Sequence, residues 1–223
     1  MAKIRSEGTK RAYLAALLFV GLLFAGAGYL GYMMTRDPGA SWDQPNAVEA
    51  ELASKQIAFY LKSKAEGNRG WVKITEVGLN SYLHTLVTNP PPDVYIPPTR
   101  FPVELERMGV ALHKPDLTVY SWGVAKVVTL DIPFVVQRRF EIEHDDTKGW
   151  TMPLASLRIG EVEIPRWLWG KTIPTVNALD APVMARLGWT TNISEVLVAR
   201  NELSQRSELH LYTYAPIPQK DRR

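Results

Sequence analysis

The run VTLDIPFVVQRRFEIE at residues 128–143 decides the fold. Val128, Leu130, Ile132, Phe134, Val136, Phe140 and Ile142 hold its even positions, interrupted only by Arg138. Thr129, Asp131, Gln137, Arg139, Glu141 and Glu143 hold the odd ones, where Pro133 and Val135 are the exceptions. Successive side chains of a strand point to opposite faces, so this is a long half-buried strand, or two collinear strands, with one apolar and one wet face. At about 3.3 Å per residue the run would approach about 50 Å, and Pro133 is expected to break or bulge it at an edge.

Downstream, Asp145-Asp146-Thr147-Lys148-Gly149 reads as a turn into Trp150, Met152 and Leu154. The apolar phase shifts between Leu157/Ile159 and Val162/Ile164, which predicts a bulge at Gly160. Val176, Leu179, Val183 and Leu187 share a helical face over residues 175–187, with Pro182 as a kink and Gly188 as a stop. Residues 193–198 and 208–214 read as a closing pair of strands. Upstream, Asn46 and Glu49 have capping-box spacing for a helix over 47–64, whose apolar side includes Val48, Leu52, Ile57, Phe59, Tyr60 and Leu61. A short strand at 71–74 leads to Thr75, the cap of a second helix carrying Leu79, Leu83 and Leu86 at helical spacing. Pro90-Pro91-Pro92 stops it. The fold class is α+β: a long antiparallel sheet packed on helices.

The chain opens on Lys3, Arg5, Lys10 and Arg11, followed by residues 12–34 without a charge. At about 1.5 Å per residue that run can span a hydrocarbon core of about 30 Å. The basic flank is expected to stay in the cytoplasm, which places everything after Thr35 on the far side, periplasmic in a Gram-negative cell. Tyr29 and Tyr32 stand where interfacial aromatics sit. A secretory signal is the other reading, since Ala25-Gly26-Ala27 resembles a cleavage site, but the apolar run continues well past it. Gly21, Ala25, Ala27, Gly28 and Gly31 include small-residue spacings that would allow self-association through the anchor. The organisation is then a basic flank (1–11), a transmembrane helix (12–34), a linker (35–45), one extracytoplasmic domain (46–216) and a basic tail (217–223).

The formal net charge of +3 belongs to the flank: residues 1–11 hold four of the 26 basic and one of the 23 acidic residues, and the remainder is neutral. No nucleic-acid footprint follows. There is no cysteine, hence no disulfide framework and no thiolate metal site.

ITEVGLNSYL at 74–83, LRIGEVEIP at 157–165 and the closing strand pair from Ile193 together resemble the opening, late strand and end of membrane-anchored domains similar to the tubular lipid-binding (TULIP) superfamily. The resemblance covers most of residues 46–214. It implies a curved antiparallel sheet wrapped around a long helix, with lipid acyl chains held in an apolar groove. The Pro90-Pro91-Pro92 insertion and the Trp167-Leu168-Trp169 cluster depart from that pattern.

The even face thus has two readings. It packs as core, or Val128, Leu130, Phe134 and Val136 line a lipid groove with Arg138 at the rim meeting a phosphate or carboxylate. Trp167 and Trp169 share a face if their segment is extended, and either pack inward or enter the membrane interface. Glu141, Glu143, His144, Asp145 and Asp146 are the densest group of acid–base or metal-ligating side chains, but their strand-face and turn positions are those that solubility alone would fill. His84, His113 and His210 lack metal-site spacing, and Ser121 and Ser156 lack a nucleophile elbow. Asn192-Ile193-Ser194 has the form of a glycosylation acceptor, a tripeptide that also arises by chance. The expectation is a non-catalytic, single-pass membrane protein without metal or cofactor, binding membrane lipid. The alternative is an accessory subunit docked on a larger membrane or envelope complex.

Overall fold

Two helix starts are tied together at the base of the domain. Asn46 Oδ1 accepts from the Val48 and Glu49 amides at 2.9 and 3.3 Å, and Thr75 Oγ1 accepts from the Gly78 amide at 3.0 Å. The reciprocal bond of a capping box is absent. The Asn46 amide instead donates to Ser81 Oγ (3.0 Å), and the Glu49 carboxylate accepts from the Thr75 hydroxyl (3.3 Å). The capping residues of one helix therefore hold the next. A Cβ on Gly78 would lie 2.9 Å from Thr75 Oγ1, so this approach requires glycine.

The computed structural model describes residues 2–39, 44–90, 103–127, 129–145, 149–186, 195–201 and 206–213. In chain order the elements are α1 (Ala2–Thr35), α2 (Ala47–Ala65), β1 (Trp71–Thr75), α3 (Glu76–Thr88), β2 (Val103–His113), β3 (Asp116–Val127), β4 (Leu130–Glu141), β5 (Glu143–Asp145), β6 (Gly149–Thr151), β7 (Leu154–Ile159), β8 (Val162–Glu163), α4 (Trp169–Arg186), β9 (Glu195–Arg200) and β10 (Ser207–Tyr212). The α+β class holds, with an antiparallel five-stranded sheet in the order β2-β3-β4-β7-β8. A three-stranded sheet, β1-β10-β9, closes the other side, and β5-β6 form a small ribbon.

Register agrees with the even-in, odd-out reading over most of β4. Val110, Val119 and Arg138 lie side by side across three strands, as do Met108, Ser121, Val136 and Ile159 across four. The strand runs unbroken through Pro133. Its partner β7 covers only residues 136–140, so Pro133 has a ladder neighbour on the β3 side alone and its missing N–H forfeits nothing on the open side. Val135 is buried despite its odd position, because the end of α1 packs on that side of β4. The phase change at Gly160 is a two-residue hairpin turn with Ile159 opposite Val162, and not a bulge: Gly160 has a φ of +58° and the chain reverses there.

The main core joins Ile57 and Tyr60 of α2, Leu79 and Leu83 of α3, the inner residues of β2 and β3, and Leu209 and Leu211 of β10. Along the free edge of β2, α3 takes the place of another strand. Asn80 bonds both the N–H and the C=O of Val110 (2.6 and 2.9 Å), and Glu76 accepts from the Leu112 amide at 2.8 Å. Side chains four apart on one helix face thus cover an edge that would otherwise be open to pairing.

A second, smaller cluster of Val136, Leu157, Ile164 and Val176 lies under the first half of α4. That helix begins at Trp169, earlier than the expected Thr175, and runs through Pro174. Pro174 lies just past the first turn and forfeits the bond its N–H would give the Gly170 carbonyl, while Trp169 and Ile173 gain apolar contact there. Leu187 and Gly188, expected to end it, lie outside the described residues.

The helix α1 extends through the basic flank, and its Leu18–Thr35 stretch is long and apolar enough to cross a membrane, with no residue of it buried. Its end is docked on the β7–β8 turn: the Glu161 amide donates to the Met33 carbonyl (3.0 Å), and Arg36 pairs with Glu161 (3.3 Å). Asp37 accepts from Trp122 Nε1 at 3.2 Å. The first residues of the expected linker are therefore part of the packed structure.

Candidate functional site

Between the inner face of the five-stranded sheet and α4 lies a cleft of about 460 Å³. Val103, Phe134, Val136 and Ile159 form the sheet wall, while Thr172, Pro174, Thr175, Val176, Ala178 and Leu179 form the helix wall. The volume falls in the range of small-ligand pockets, and among the described residues none that lines it carries a charge. Strand alternation explains the first wall, since Phe134 and Val136 are even positions of β4 and the register sets Ile159 opposite Val136. Helical spacing explains the second, since Thr172, Val176 and Leu179 recur at intervals of four and three.

Beside this cleft the sheet and helix are joined by a buried charged cluster. Arg138 is 4 % exposed, Asp180 1 % and Ser121 0 %. The Arg138 guanidinium contacts the Asp180 carboxylate and donates to Asn177 Oδ1 at 3.2 Å, and the Ser121 hydroxyl donates to Asp180 Oδ2 at 2.6 Å. Burial pushes the Asp180 carboxyl above the ordinary carboxylate range, against the opposing pull of the Arg138 charge and the Ser121 hydroxyl. Arg138 Nε and Asp180 Oδ1 have no hydrogen-bond partner. The arrangement fixes α4 on β4 with the cleft between them.

Of the residues expected to form a groove, Phe134 and Val136 line this cleft. Leu130 is 65 % exposed at the outer end of β4 and takes no part, and Val128 lies outside the described residues. Arg138 is sealed beneath the sheet–helix junction rather than standing at a rim, because Asp180 meets it there. Asp180 escaped the sequence reading, yet a signal existed. It is the single acidic residue of α4 and shares the Val176–Val183 face, so opposite charges interrupt two apolar stripes once each.

Tyr29 and Tyr32 are exposed on α1. The Trp167-Trp169 segment is not extended: Arg166–Leu168 form a short 3-10 turn, which sends the two rings different ways. Trp167 is 80 % exposed, whereas Trp169 is half-buried, donates to the Ile164 carbonyl at 2.8 Å and lies beneath the Arg166 guanidinium. Among the described residues no three metal-ligating side chains converge. The chain matches no family model, no curated protein and no solved structure.

Proposed function

We propose that this chain is a single-pass membrane protein, with its N-terminus cytoplasmic, whose extracytoplasmic domain binds the hydrocarbon part of a membrane lipid in the cleft between β4 and α4, without catalysis. The observation that carries the reading is the apolar, uncharged character of the described residues lining that cleft, with Phe134, Val136 and Ile159 set against α4. The apolar α1 and its flank of Lys3, Arg5, Lys10 and Arg11 support the anchor and its orientation. A buried chain gains about 0.8 kcal/mol per methylene, so partial burial of one acyl chain gives useful affinity. The resemblance to tubular lipid-binding domains points the same way. The test is the lipid extracted from the purified full chain. Phospholipid or fatty acid should be recovered with it and should fall away in Thr175→Trp, which fills the cleft from the exposed side of α4. Equal lipid in both, or none in either, would contradict the proposal.

A second reading rests on a different observation. Val48, Leu52 and Phe59 form an exposed stripe on α2, and Trp71 is exposed on β1. Apolar exposure in a row fits docking onto a larger membrane or envelope complex. On this reading Leu52→Glu/Phe59→Glu leaves the lipid content unchanged and releases the protein from a high-mass complex in mild detergent.

A further inference from the structure

The cleft wall and the membrane end of α1 are one residue apart. Ile159 lines the cleft, and the next residue, Gly160, has its backbone against the end of the helix: a Cβ there would lie 2.4 Å from the Met33 carbonyl oxygen and 2.5 Å from that of Met34. On the β4 side Val136 lines the cleft while the preceding carbonyl, of Val135, accepts from the Gly160 amide at 2.7 Å. Glu161 completes the dock through its amide to Met33 and its carboxylate to Arg36. Because the apolar run of α1 ends at Met34, this contact holds the cleft at the bilayer surface. The approach to α4 suits that position, with Arg166, Trp167 and Lys171 all exposed just before the cleft-lining Thr172. Tryptophan and basic side chains are the residues that settle among lipid headgroups.

We infer that the cleft is loaded laterally, by one acyl chain of a phospholipid in the leaflet beside α1, with no passage of the lipid through water. This rests on the lipid-binding reading. The uncharged lining takes the hydrocarbon, and the phosphate stays outside among Arg166 and Lys171. The docked helix end is then a positioning device: Gly160 and Glu161 touch no lipid, but hold the cleft where a chain can leave the bilayer for it.

The experiment reconstitutes the full chain in phosphatidylcholine vesicles containing a photoactivatable phosphatidylcholine, and follows cross-linking of that lipid to the domain. The comparison chain carries a ten-residue Gly/Ser insert after Tyr32. Residues 12–32 remain to span the bilayer, about the length a membrane helix needs, while the domain moves on a flexible tether. Gly160→Ala is the second variant, disturbing the same contact from the domain side. Binding of a water-soluble fluorescent fatty acid to each chain in detergent measures the cleft itself, and circular dichroism confirms the fold. The expected result is rapid cross-linking in the unmodified chain and a rate lower by about tenfold or more in both variants, with fatty-acid affinity unchanged. An undiminished rate in the inserted chain would overturn the lateral route, as would fatty-acid binding without any capture of bilayer lipid in the unmodified chain; both outcomes leave the cleft as a lipid site. Failure to bind either probe would remove the lipid-binding reading and the route together.

Discussion

Arg138 and Asp180 are the residues on which the site turns. Each interrupts an apolar stripe, and the two charges neutralise one another where water is excluded. Removing one partner of such a pair leaves an uncompensated buried charge, so Asp180→Ala should cost about 3–5 kcal/mol. Replacing both with apolar residues, as in Arg138→Met/Asp180→Leu, should cost much less than the sum of the single changes; denaturant unfolding of all variants checks this. Arg138 stood out in the sequence as a break in the even face, but its role was not legible until the partner was known. The partner lies on another element, and period two says nothing about contacts that distant. Glu208 gives a pH prediction elsewhere in the domain. Burial opposes its charge, but hydrogen bonds from Lys73, Asn201 and His210 outweigh it and hold the carboxyl below its ordinary value of 4.5. Because the folded state holds this carboxylate ionised more strongly than the unfolded chain does, its stabilisation is complete above about pH 4.5 and is lost as the pH falls through the depressed folded value. Glu208→Gln should therefore melt below the unmodified protein at neutral pH, with the gap closing on acidification.

At the scale of elements, local pattern served well where one periodicity governed. Leu79, Leu83 and Leu86 identified the buried face of α3, and the even positions of β4 gave its inner face up to the exposed Leu130. It failed where the third dimension intervened. Of the apolar side expected for α2, Ile57 and Tyr60 are buried, but Val48, Leu52 and Phe59 are exposed, and the small residues Ala50 and Ala53 take the rest of the inner face. The docking of α3 on the β2 edge was also invisible, since Glu76 and Asn80 are ordinary surface residues on a helix until a strand edge is beside them. That docking is testable: Asn80→Ala strands both polar groups of Val110, and should destabilise the domain by about 1–3 kcal/mol, whereas Thr88→Ala at the exposed end of the same helix should be mild. Equal effects in thermal unfolding would mean that the edge contact contributes nothing.

For the molecule as a whole, the uncharged run of residues 12–34 behind a basic flank pointed to the anchor, and the alternating run carried the sheet. The cleft itself was only half legible. Its sheet wall follows from Phe134 and Val136, but its helix wall depends on where α4 begins, and the sequence hid that behind Pro174. On the proposed reading, the apolar helix, its docked end and the cleft form one continuous path from a bilayer to the interior of the domain. Native mass spectrometry of the full chain, extracted in mild detergent, tests the central claim most directly. A folded protein carrying one tightly held adduct of lipid mass, absent from Thr175→Trp, is the predicted result; a folded chain at its bare mass, with or without a protein partner, would contradict it.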